Sequence, residues 1–97
     1  MNLNKDQILN FLRENKNTLE KEFGVTKIAL FGSYARGEAD INSDIDFLIE
    51  VRKKDFRKRF YLKEFLEKNF NRNVDVGYFD SLKKFIRKKV EEELIYA

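Results

Sequence analysis

The sequence predicts one small α/β domain in the element order αβ(α)βαβα, with a three-stranded mixed sheet flanked by helices. Two observations carry the prediction. Apolar residues recur at helical spacing in three stretches, 4–23, 55–70 and 82–94. Between them lie short runs rich in β-branched and apolar residues, at 25–31, 44–51 and 73–79. A third observation bounds the size. Residues 1–97 leave room for one domain, and a 42% apolar content with ten phenylalanines fills one modest core.

In the first stretch Ile8, Phe11, Leu12, Leu19 and Phe23 share a helical face. Asn4 followed by Gln7 resembles a capping box, with Asn in place of Ser or Thr. Gly24 supplies the left-handed residue that stops the helix. VTKIALF, residues 25–31, suits a buried strand, and Gly32-Ser33 breaks it. Residues 33–38 have room for one or two helical turns, and ADINS, 39–43, forms a loop. In DIDFLIEV, 44–51, alternation puts Ile45, Phe47 and Ile49 on one face and Asp44, Asp46, Leu48 and Glu50 on the other. Asp55 is placed to cap the next helix, whose stripe is Phe56, Phe60, Leu62, Phe65, Leu66 and Phe70. NVDVGYF, 73–79, sets Val74, Val76 and Tyr78 on one side of a strand and Asp75 and Gly77 on the other. Asp80 or Ser81 then caps a last helix with the stripe Leu82, Phe85, Ile86, Val90 and Leu94.

Composition removes several kinds of chemistry. There is no Cys, hence no disulfide framework and no thiolate metal site, and no His, the commonest general base and zinc ligand. Catalysis must run on carboxylates, Ser, Tyr, Lys or a bound metal ion. No apolar run approaches the roughly 20 residues of a membrane span, and the polar MNLNKDQ is no secretory signal, so a cytoplasmic chain without membrane contact is expected. The charge is +3, with 20 basic and 17 acidic residues, which permits a polyanionic ligand without demanding one.

The chemically special residues gather in 30–50, LFGSYARGEADINSDIDFLIE. Gly32 and Gly37 are spaced as in a P-loop, but the Lys and Ser/Thr that a P-loop needs next are here Glu38 and Ala39, which rules that motif out. What survives is a strand ending in Gly-Ser where a helical turn begins. Backbone N–H groups there attract phosphate, glycine allows close approach, and Ser33 adds a hydroxyl. Taken by itself, the dipeptide reads better as a plain strand-to-helix turn. Asp44 and Asp46 add weight to the chemical reading. Two apart on a strand, they bring like charges close together, and a divalent cation removes the repulsion. All-oxygen ligation favours Mg²⁺ or Mn²⁺, with substrate phosphates completing the shell. Asp75 lies on a second strand facing away from the core. If that strand neighbours 44–51, three carboxylates share one patch, the composition of a two-metal phosphoryl-transfer site.

Gly32-Ser33-Tyr34-Ala35-Arg36-Gly37 followed by Ser43-Asp44-Ile45-Asp46 resembles the G-S-x-A-R-G…S-D-x-D signature of the DNA polymerase beta-like nucleotidyltransferase superfamily. Val74-Asp75-Val76 looks like that family's third-aspartate strand, and with the flanking helices the likeness covers nearly the whole chain. The length is similar to that of the minimal nucleotidyltransferases (MNT), many of which resemble the antitoxin of prokaryotic HEPN/MNT toxin–antitoxin pairs. The resemblance implies the nucleotidyltransferase fold and a division of labour. Asp44 and Asp46 hold Mg²⁺ against ATP; Asp75 completes a second metal site and helps deprotonate the acceptor. Two Mg²⁺ ions are expected, with Mn²⁺ as a substitute. Gly32 and Ser33 bind the triphosphate tail, and Ser43 belongs to the nucleotide-binding set. Arg36 either contacts phosphate or pins the turn to a carboxylate. The implied reaction transfers AMP to a hydroxyl, a tyrosine's for instance, of a partner HEPN toxin in a hetero-oligomer, as in a type VII-like toxin–antitoxin pair. With no second domain expected in the chain, the acceptor is expected from outside it.

Two features remain. RKKDFRKR, 52–59, holds six basic side chains, and Lys83, Lys84, Arg87, Lys88 and Lys89 form a second run. Both suit the solvated faces of amphipathic helices, and the acids at 91–93 weaken a nucleic-acid footprint, so nucleic acid is not expected as a partner. The apolar tail Leu94, Ile95 and Tyr96 either packs on its own core or docks a partner. Two other functions stay open beside the transferase: an antitoxin that neutralises by binding alone, and a basic nucleic-acid-binding module.

Overall fold

The computed structural model describes residues 3–97, except for the side chain of Phe85, whose expected place in the last helical stripe lies outside the described residues. The first helical stretch divides into α1, Lys5–Glu14, and α2, Lys16–Phe23. Asn4 and Gln7 form the expected reciprocal cap: the Gln7 N–H donates to Asn4 Oδ1 at 2.9 Å, and the Asn4 N–H donates to Gln7 Oε1 at 3.0 Å. The division falls at Asn15, whose side-chain amide donates to the Phe11 carbonyl at 2.8 Å. Such local side-chain bonds compete with the helical ladder. The apolar face survives the break, with Ile8, Leu12 and Leu19 all buried. Gly24, at φ 69°, closes α2 as expected.

Strands β1, Val25–Phe31, β2, Ile45–Val51, and β3, Val74–Tyr78, form the sheet the sequence predicts, and a fourth strand, β4, Ile95–Tyr96, joins it. The spatial order is β3-β2-β1-β4. β1 is antiparallel to both β2 and β4, and β2 is parallel to β3. The sheet therefore has four strands, not three. The C-terminal tail pairs with its own chain, Tyr96 opposite Ala29 and Ile95 opposite Leu30. Two residues are too few for periodicity to reveal a strand.

The parallel β2–β3 pair is joined by α4, Phe56–Phe70, as a crossover requires. Asp55 caps it, accepting from the N–H groups of Arg57 at 2.9 Å and Lys58 at 3.4 Å. Leu62, Leu66 and Phe70 are buried against the sheet side that carries Ile45, Phe47 and Ile49, and the Phe47 and Phe70 rings stack at 6.2 Å. Two members of the expected stripe are elsewhere: Phe56 is 73% exposed and Phe60 56%. Phe60 stands two residues before Leu62, about 200° round the helix from it, so both cannot face the core. α4 also covers the outer edge of β3, where an open edge would invite pairing. Glu67 accepts from the Val74 N–H at 3.0 Å, and Arg59 donates to the Val76 carbonyl at 2.9 Å.

After β3 the chain makes a 3-10 turn, Phe79–Ser81, and then α5, Lys84–Glu91. Asp80 and Ser81 lie in that turn and do not cap α5, whose N-cap is Lys83 without a side-chain bond. The turn passes beside β2, on whose second face Leu48 is fully buried, and the Phe79 ring stacks on Tyr96 at 5.9 Å. Ile86 on α5 is exposed, and Leu82, Val90 and Leu94 are half-buried, so this helix lies on the surface.

Candidate active site

β1 ends at Phe31, and the chain turns at once into α3, Gly32–Arg36. Gly32 has φ 76°, the left-handed region that favours glycine. It is also packed too closely for a side chain, because a Cβ there would collide with the Asp46 carboxylate. Phe31 is the register partner of Asp46 across the antiparallel pair. On its other side Asp46 is the register partner of Asp75 in the parallel pair. One row across the sheet thus carries the Gly-Ser turn and two carboxylates. Asp44 stands just before β2, exposed, and the next residue is anchored by a bond from the Ile45 N–H to the Asn73 carbonyl at 2.9 Å.

The electrostatics follow from this row. The half-buried Asp46 carboxyl is pushed up to about 6, first by burial, then by the charges of Asp75 and Asp44, with Arg36 pulling weakly the other way. Among the described residues no ion pair engages any of the three aspartates. Nor does any group of three acidic side chains stand close enough to enclose one ion among those residues. Asp46 and Asp75 are adjacent, and Asp44 is felt from the strand entrance. An unpaired carboxylate held beside like charges, on an all-oxygen donor set, fits a divalent cation whose remaining ligands come from a substrate. Mg²⁺ and Mn²⁺ suit such oxygens.

The other expected site residues divide. Ser33 is half-buried at the start of α3, and its hydroxyl makes no hydrogen bond among the described residues. Arg36 is committed to carboxylates: its Nε donates to Glu38 Oε2 at 2.9 Å and one terminal nitrogen to both Glu93 oxygens at 3.1 Å. These two acids raise its already high pKa. Through Glu93 it ties the turn to the segment between α5 and β4. Ser43 organises the loop ahead of Asp44: its Oγ accepts from the Asp40 N–H at 2.9 Å and donates to Asp40 Oδ1 at 3.3 Å. Asp40 Oδ1 also accepts from the Asn42 N–H at 2.8 Å.

Sequence reasoning missed Asp40, Asn73 and Glu93. Asp40 had a signal, since D-x-N-S is a turn-forming composition. Glu93 had none, because its partner Arg36 is 57 residues away. A polar groove of about 470 Å³ opens beside Asp44, walled by Ile41, Asn42, Ser43 and Arg72. A larger cavity of about 630 Å³ lies between α2 and the free end of β1. Its walls join Leu12, Leu19, Val25 and Ile28 with Lys16, Glu20 and Lys27 and include none of the three aspartates, whereas the smaller groove includes Asp44.

Residues 8–97 match the model of the nucleotidyltransferase domain family. The chain is 38% identical over 96 residues to the protein adenylyltransferase MntA of Thermococcus cleftensis, covering 98% of this chain and 97% of that one. It is similar to a Methanocaldococcus jannaschii chain assigned as a protein adenylyltransferase, 39% identical over 93 residues, 94% of this chain and 95% of that one. Among solved structures it resembles a minimal nucleotidyltransferase at TM-score 0.76 and 31% identity, with 92% of each chain covered. A toxin–antitoxin complex solved with AMP-PNP contains a chain similar at TM-score 0.69 and 27% identity, covering 97% of this chain and 72% of that one.

Proposed function

The chain belongs to the nucleotidyltransferase domain family, and from that membership we propose that it is a Mg²⁺-dependent protein adenylyltransferase. It transfers AMP from ATP to a tyrosine hydroxyl of a partner HEPN toxin and so acts as the antitoxin of the pair. The observation that carries the reading is the row Phe31–Asp46–Asp75 and the glycine that follows it: Gly32, without room for a Cβ, lies against one carboxylate, and a second stands beside that one in register. The relatives named protein adenylyltransferase and the AMP-PNP complex support AMP as the transferred group and a toxin as the acceptor.

In this proposal Asp44 and Asp46 hold Mg²⁺ together with the triphosphate, and Asp75 helps hold a second ion; Mn²⁺ would fit the same oxygens. The metal, when bound, neutralises charge on the phosphates and lowers the pKa of the attacking hydroxyl. Gly32 and Ser33 receive the triphosphate tail at the opening of α3, where the glycine backbone permits close approach. Ser43 contributes through the loop it orders ahead of Asp44. Asp75, the exposed member of the row, takes the proton of the acceptor hydroxyl. The acceptor oxygen bonds to the α-phosphorus as the α–β bridging bond breaks, and pyrophosphate leaves. Arg36 contributes by holding the turn in place.

The test incubates the protein with Mg²⁺, α-labelled ATP and the candidate HEPN partner. Label is expected on the partner and is expected to fall by about a thousand-fold or more in Asp46→Asn, the scale of losing a main electrostatic element of a site. Neutralisation that persists in that variant without any label would make the protein a contact-only antitoxin and overturn the reading.

A further inference from the structure

The solvent side of α4 carries a surface that the transferase reading does not use. Phe60 and Tyr61 are each 56% exposed, their rings edge-on at 5.9 Å, and Phe56 extends the ridge by one turn. At about 100° per residue, Arg57 and Glu64 fall between Phe60 and Tyr61 on that side of the helix. Both are exposed, and among the described residues neither makes an ion pair.

Exposed aromatic residues grouped on one helix face mark an association surface. Its charges are mixed, with Glu64 and Glu67 among Arg57, Lys63 and Lys68, unlike the strongly basic face that a nucleic acid needs. Their arrangement selects an occupant. Arg57 and Glu64 have opposite sign and are equally spaced about the midpoint between Phe60 and Tyr61. A two-fold axis through that midpoint lays a second α4 antiparallel on the first. Phe60 then meets its own copy, Tyr61 meets its own copy, and each Arg57 faces Glu64 of the second copy. A surface complementary to itself in this way is the requirement of an isologous dimer. We propose that the chain self-associates through this face of α4, with a second copy of itself as the occupant.

The contact is one helix pair, so it belongs with the small, weak interfaces. The face lies on the side of α4 away from Leu62, Leu66 and Phe70, which pack on the sheet. The inference stands whether or not the proposed transferase activity is found.

Sedimentation equilibrium of the full chain, from micromolar to millimolar concentration, tests it. A monomer–dimer equilibrium is expected, shifted to monomer by Phe60→Ala. Arg57→Glu and Glu64→Arg should each weaken the dimer by about tenfold, and the two together should restore it to within about threefold. A monomer at every concentration overturns the proposal. So does a dimer indifferent to Phe60→Ala, or a double reversal that fails to restore association. Loss of toxin or oligonucleotide binding in Phe60→Ala from a chain that stays monomeric assigns the face to another partner and overturns it equally. Circular dichroism of each variant separates these outcomes from misfolding.

Discussion

The two ends of β2 depart from the simple pattern of apolar inside and polar outside in opposite directions. At the Asp46 end, carboxylates are crowded together and one is half-buried without an ion-pair partner among the described residues. At the other end, where α4 begins, aromatic rings stand in solvent. Each arrangement is unfavourable for the isolated chain, through repulsion and desolvation in one case and wetted apolar surface in the other. Each would be relieved by something from outside: in the proposals above, a cation with its nucleotide, and a second copy of the chain. Departures of this kind, set in an otherwise consistent core, are where function is to be sought.

The comparison can be broken at Gly32. Gly32→Ala adds strain at positive φ and drives a Cβ into Asp46. A loss of about 2–4 kcal/mol in urea-monitored stability is expected. Transfer should fall about 100-fold, as for a site displaced by an ångström. A Gly32→Ala protein with full activity would show that the close approach has no catalytic purpose.

The two faces of α4 sharpen the contrast at the far end. Leu66→Ala, in the core, should cost about 3 kcal/mol, whereas Phe60→Ala should change monomer stability by less than about 0.5 kcal/mol. Chemical denaturation at low protein concentration measures both. A large loss from Phe60→Ala would mean that the ring supports its own fold.

A smaller effect concerns pH in the presence of EDTA. The folded carboxyl of Asp46 titrates near 6, above its ordinary value of 3.8, so the folded state holds that proton more tightly. Its contribution is fully present below pH 3.8 and is lost as pH rises through about 6, leaving the metal-free chain less stable at neutral pH. Allowing for solvent screening, the difference is about 1 kcal/mol. Asp46→Asn should remove this pH dependence, and thermal melts at pH 4.5 and 7.5 would detect it.

Asp55 supplies the opposite sign and the smallest effect. Bonds from the Arg57 and Lys58 N–H groups hold its carboxyl below the usual range. Its stabilisation is present above the unfolded titration and lost as pH falls through the lower folded one. Asp55→Ala should therefore lower the melting temperature slightly at pH 7, with the gap closing under strong acid. An unchanged gap at low pH would mean that the charge contributes nothing at this cap.

Much of this molecule was legible from residue types alone. The alternation in 44–51 and 73–79 put the aspartates on one side of their strands, and Asn4, Gly24 and Asp55 marked helix ends correctly. These are local properties, set by the period of a strand or by a side chain bonding to backbone three residues away. The aromatic positions of α4 were misassigned for a related reason. Phe56 and Phe60 satisfy an i, i+4 spacing of their own, and spacing does not say which of two apolar rows meets the core.

The sequence by itself determined the three main strands, the helical stretches between them, the three candidate carboxylates and the glycine turn. Only the tertiary structure decided that β3 lies beside β2, which brings Asp75 level with Asp46. It also decided that a two-residue tail completes the sheet and that Glu93 holds Arg36. The physical reason is distance along the chain. Strand pairing and ion pairs between residues 29 or 57 positions apart depend on how the whole core closes, and no local periodicity encodes them.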